Sequence, residues 1–145
     1  MRGGQAQPAA AWKPQFFNSE QNQILIAIGD RIVPGSAAAQ CNRLIDLFMT
    51  LASEDHRQAL LHALAEFDGK AKQQFQKPFH SLAPEQQDAL LSAASTPHPS
   101  PSFAVVKEWM ADSYWSSREG LRELGWDGRM AWESYPACEH SEAGR

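Results

Sequence analysis

Apolar residues in this chain recur at spacings of three and four, and prolines cut the recurrence into separate segments. No stretch alternates apolar and polar residues over the length of a strand. A chain patterned this way hides its apolar faces by packing helix against helix. The expected class is all-α, a compact bundle of about five helices followed by an irregular, aromatic-rich C-terminal segment.

The punctuation places the helices. Asn18 and Ser19 are good N-caps, and Asn18 with Gln21 has the form of a capping box. Ile24, Leu25, Ile28 and Ile32 then share one face, widened by Ile26 and Val33, until Pro34-Gly35 stops the helix. Ser36 is read as the cap of a second helix running through Ala52, with Leu44, Ile45, Phe48 and Leu51 as its apolar face and Cys41 in step. Ser53 caps a third, whose inward stripe is Leu60, Leu61, Leu64 and Phe67. Gly69 is a point where that helix weakens or ends, although Lys70 to Lys77 has a pattern able to continue it to the break at Pro78-Phe79. Pro84 opens a shorter helix with Leu90 and Leu91 inward. The proline-rich connector 96–101 cannot lie inside a helix; Ser100 caps and Pro101 opens the last long one, faced by Phe103, Val106, Trp109, Met110 and Tyr114. Beyond Ser116 the periodicity fades.

At 145 residues there is room for one core. The reading is a disordered tail over 1–11, a single helical domain over 12–140 and a disordered tail over 141–145. Thirteen basic against seventeen acidic residues leave a net charge of -4, which disfavours a nucleic-acid face or an anionic-membrane patch. The longest apolar run, Ile24 to Ile28, falls far short of the roughly 20 residues a membrane span needs. Ala9-Ala10-Ala11 has the A-x-A form of a signal-peptidase site, without the apolar stretch that should precede it. A low-complexity terminus and a truncated export signal both fit.

Catalytic chemistry is hard to find. The close carboxylate pairs Glu54-Asp55, Glu66-Asp68 and Glu119-Glu123 sit where caps and solvated faces explain them. His56 and His62 lie on different faces of their helix, and His80 and His98 flank prolines, so all four read as surface histidines. Cys138 and His140 supply at most half of a tetrahedral metal site, and no second cluster completes it. Cys41 and Cys138 are available to each other in an oxidising compartment, as Cys138 is to another chain. Four of the five tryptophans lie between Trp109 and Trp132. Either Trp109 and Trp115 fill the core with Trp126 capping it, or the aromatic segment is an interaction surface. Trp126 sits beside Gly125 and Tyr135 beside Pro136, with Trp132 between them, which favours the surface.

Phe16-Phe17, then Asp30-Arg31-Ile32-Val33-Pro34, then Leu44-Ile45-Asp46, resemble the small-subunit (subunit 3) family of gluconate 2-dehydrogenases. Leu124-Gly125-Trp126-Asp127-Gly128 and Tyr135-Pro136-Ala137-Cys138-Glu139-His140 are similar to that family's closing segment, with Ala137 where the family has glycine. The resemblance covers roughly residues 15 to 140. It implies an accessory, non-catalytic chain without a cofactor of its own. Its partner would be the FAD-carrying, GMC-type large subunit of a bacterial dehydrogenase for sugars, sugar acids or related alcohols, with electrons passing on to a cytochrome c subunit. The small subunit would bind, stabilise and help export that partner to the periplasm. The twin-arginine signal common in the family is not present here: only Arg2 lies in the first twelve residues. On this view Trp126, Arg129, Trp132 and Tyr135 are candidate partner contacts, and Cys138 is a candidate for a structural disulfide with Cys41. The alternatives are a free-standing helical adaptor, or a metal or thiol protein using Cys138 and His140.

Overall fold

A computed structural model describes residues 11–128. Helix α1 (Ser19–Ile32) starts at the capping box read from the sequence: Gln21 N donates to Asn18 Oδ1 at 2.8 Å, and Asn18 N donates to Gln21 Oε1 at 3.0 Å. Its Ile24, Leu25 and Ile28 enter the core, and Gly35, with φ of 94°, supplies the left-handed turn after it.

The second helix begins later than the sequence implied. Residues 36–40 coil into a turn, and α2 runs Cys41–Leu51. Two local facts displace its start. Asp30 Oδ1 accepts from Gly35 N at 3.2 Å and Ala37 N at 3.4 Å, and Gln40 adopts φ of 57°, which a right-handed helix cannot absorb. Ser36 is buried at the base of this turn instead of capping a helix. The far end of α2 is closed by Arg57 of the next helix, whose guanidinium donates to the Met49 and Thr50 carbonyls, each at 2.8 Å.

Helix α3 (Glu54–Phe75) passes straight through Gly69. The local penalty of a helical glycine is about 1 kcal/mol. Against it stand the buried Phe67 and Ala71 on either side, and Asp68, which accepts from Phe79 N at 3.0 Å and pairs with Lys72 at 2.5 Å. A 3-10 turn, Phe79–Ser81, follows and seats Phe79 against Phe67. Helix α4 (Pro84–Ser95) carries Pro84 in its first turn, and buries Leu90 and Leu91. Helix α5 (Pro101–Trp115) is capped by Ser100, whose Oγ accepts from Phe103 N at 3.2 Å. Where the sequence periodicity fades, Ser117 caps a further short helix, α6 (Arg118–Glu123).

The fold is all-α, with no strand among the described residues. Helix α5 is its axis and packs on each of the other five helices. Small Ser102 and Ser113 among its buried residues let neighbours approach, while Val106, Met110 and Tyr114 fill the space between them. The largest fully enclosed side chains, among them Phe67, Phe79, Leu25 and Ile28, each contribute roughly 1.5–3 kcal/mol by leaving water.

Candidate partner-binding surface

Helix α2 is apolar on two sides. Seven of its eleven residues are apolar, too many for one core-facing stripe. Cys41, Ile45 and Met49 point inward, at 1% exposure or less. Leu44, Leu47, Phe48 and Leu51, spaced i, i+3, i+4 and i+7, form a second stripe on the outer side. Leu47 is 52% exposed, Phe48 46% and Leu51 81%. This corrects the sequence reading, which merged Leu44, Phe48 and Leu51 with Ile45 into a single face and left Leu47 out. The signal was present: a helix with so few polar positions has no solvated side.

Grooves flank this stripe. Phe48, Trp109, Asp112, Ser113 and Ser116 line a hollow of about 330 Å³ between α2 and α5. Phe48 and Trp109 lie 6.4 Å apart by ring centroid, and His56 meets the edge of Trp109 at 6.3 Å. On the other side a hollow of about 400 Å³ lies between α2 and the segment before α1, where Trp12 stacks on Arg43 at 5.0 Å. Asp46 holds that segment in place. It is 2% exposed, and its carboxylate accepts from Gln15 N at 2.8 Å and from Phe16 N and Phe17 N at 3.0 Å each. The motifs Phe16-Phe17 and Leu44-Ile45-Asp46 are thus two halves of one clasp. Asp30-Arg31 is structural as well, with Arg31 paired to Asp88 of α4 and Asp30 shaping the turn before α2.

Of the four contact residues named from the sequence, Trp126 is among the described residues; Arg129, Trp132 and Tyr135 lie outside them. Trp126 is 44% exposed and lines a hollow of about 250 Å³ with Arg118, Arg122, Asp127 and Gly128. Its backbone N–H donates to the Leu121 carbonyl at 3.0 Å, which fixes it to the end of α6. Trp109 packs against the core partly buried, whereas Trp115 is 43% exposed and does not fill it.

Cys41 is sealed in the core, and burial pushes its thiol above the usual cysteine range. Such a thiol is neutral and unreactive towards solutes. Cys138 and His140 lie outside the described residues. No group of three or more His, Cys, Asp or Glu side chains placed to hold a metal ion occurs among the described residues. His80 departs from its reading as a surface residue: its Nδ1 is buried without a hydrogen-bond partner among the described residues. No helix is long and apolar enough to cross a membrane among the described residues.

No curated protein and no solved structure matches the chain. The family model described as gluconate 2-dehydrogenase subunit 3 matches residues 19–135, which run from the first residue of α1, through every helix and the outward apolar stripe, past Trp126. The chain belongs to the gluconate 2-dehydrogenase subunit 3 family.

Proposed function

We propose that this chain is the non-catalytic small subunit of a dehydrogenase complex, and that it binds and stabilises a large subunit carrying FAD. The match over residues 19–135 to a family defined as a subunit carries the reading. A subunit must present a surface that water does not satisfy, and the exposed apolar side chains of α2 with Trp115 and Trp126 are such a surface. The large subunit is of the GMC type, oxidises a sugar, sugar acid or alcohol, and passes electrons to a cytochrome c subunit. The small subunit assists its transfer to the periplasm. There Trp126, Arg129, Trp132 and Tyr135 add contacts to the partner.

Co-expression with the large flavoprotein subunit of its own complex tests the reading. The tagged chain is expected to retain a yellow, FAD-containing protein through affinity purification and gel filtration. Omitting the chain should lower the soluble and periplasmic yield of that flavoprotein several-fold. A flavoprotein equally abundant, active and exported without this chain would overturn the proposal.

A further inference from the structure

Helix α2 presents an outer side that a lone protein has no reason to keep apolar. Leu44, Leu47 and Leu51 make a ridge along it, with the Phe48–Trp109 hollow on one side and the Trp12–Arg43 hollow on the other. A ridge between two grooves is the relief that another helix engages, its own side-chain rows entering the grooves. We propose that the outer side of α2 is the principal docking site for the large subunit, and that the element seated on it is an apolar helix. This rests on the function proposed above.

Three observations select this occupant. The first is area. Helix α2 has eleven residues, so it is about 16 Å long and about 10 Å wide, and two copies meeting through it alone would bury roughly 300 Å² in total. A stable interface takes about 1,200–2,000 Å². A second copy of this chain is therefore a poor fit, whereas a large partner can cover the ridge, both grooves and ground beyond them. The second is charge. Helices that lie on a bilayer carry basic polar faces, but this chain has a net charge of -4 and α2 itself offers a single basic residue, Arg43. The third is the polar rim. Asp112, exposed at the lip of the Phe48–Trp109 hollow, makes no ion pair among the described residues. It suits a lysine or arginine beside the partner's apolar anchor.

The test is the affinity of the purified chain for the large flavoprotein subunit, measured with the double variant Leu47→Glu/Leu51→Lys. Both side chains face solvent, so the thermal melt should stay at the wild-type value. Affinity should fall by at least about 100-fold, the loss that follows when two central apolar anchors are replaced. A control carrying the same charges on the outer face of α3, Gln73→Glu/Gln74→Lys, should bind like wild type. Undiminished binding by the α2 variant would overturn this inference while leaving the proposed function intact. A wild-type chain that captures no flavoprotein would overturn both. Two further results would also overturn the inference by assigning the face to another occupant. One is a wild-type dimer that the α2 variant converts to monomer; the other is wild-type binding to phosphatidylglycerol vesicles that the α2 variant loses.

Discussion

Replacing Asp46 with alanine is expected to lower the unfolding free energy by about 3–5 kcal/mol and to release the segment before α1. The residue is 2% exposed, and three consecutive backbone N–H groups, from Gln15, Phe16 and Phe17, end on its two oxygens. Alanine removes every acceptor. The N–H of Gln15 can turn to water, but Phe17 is 4% exposed and Phe16 is half-buried, so their donors are stranded at about 1–3 kcal/mol each. If the segment lifts to rehydrate them, Phe17 leaves the core at about 1.5–3 kcal/mol, and the Trp12–Arg43 and Phe16–Arg57 stacks are lost at about 0.5–1 kcal/mol each. Either route costs roughly 10 °C in Tm. Asp46→Asn should fall between, because its one carbonyl oxygen can still serve Phe16 and Phe17 while its amide confronts Gln15 N. Urea unfolding followed by tryptophan fluorescence gives the energy, and limited proteolysis between Trp12 and Asn18 gives the location. An alanine variant within about 1 kcal/mol of wild type, cut no faster there, would show that the clasp does not hold the segment.

That clasp also explains what could be read in advance. Caps were legible because they are local chemistry: Asn18 with Gln21, Ser53, and Ser100 with Pro101 all stand where the sequence placed them. Ser36 does not cap α2 because the turn around it is set by neighbours on both sides rather than by its own capping propensity. Asp30 takes the amides that a helix start would have offered, and nothing in the order of residues announces the left-handed Gln40. Gly69 marks an end by propensity alone because glycine propensity is local, whereas Asp68 and Ala71, which carry α3 past it, act through α3's packing on its neighbours. The two faces of α2 were legible only in sum. Periodicity can count seven apolar residues in eleven, but it cannot say which of them the core will take and which a partner will. The aromatic segment was visible by composition alone, and only Trp126 of its named contacts is among the described residues.

The fold's other tight point is Gly120, where α6 lies directly on the end of α5. Gly120→Ala is expected to unseat α6 and to return the Tyr114 phenol to its ordinary titration. A Cβ on Gly120 would lie 2.1 Å from the Tyr114 carbonyl oxygen, 2.8 Å from its carbon and 3.0 Å from Trp115 Cα. All three are backbone atoms of α5, so no side chain can swing aside, and the α6 backbone must lift at a cost of about 3 kcal/mol. The ordered start of α6 depends on the same spot: Ser117 N donates to the Tyr114 carbonyl at 2.9 Å, and Ser117 Oγ accepts from Gly120 N at 3.1 Å. A six-residue helix cannot persist without its seat. Once α6 lifts, Glu123 leaves Tyr114. At present the Tyr114 hydroxyl donates to the Glu123 carboxylate; that bond first, then burial and the carboxylate's charge, push the phenol up from 10.0 to about 12. The raised value means the folded state holds the proton. The stabilisation is complete below pH 10 and is lost as the pH rises through about 12. Ultraviolet titration of tyrosinate reads this directly, because the chain has two tyrosines, Tyr114 and Tyr135. In the wild-type protein one phenol should ionise late; in Gly120→Ala it should move down towards 10, and in Tyr114→Phe the late step should vanish. Circular dichroism of the other helices should survive the glycine variant, since α6 packs chiefly on the end of α5. A late step that persists in Gly120→Ala would mean that the α6 seat tolerates a methyl group and that Glu123 keeps its hold on Tyr114.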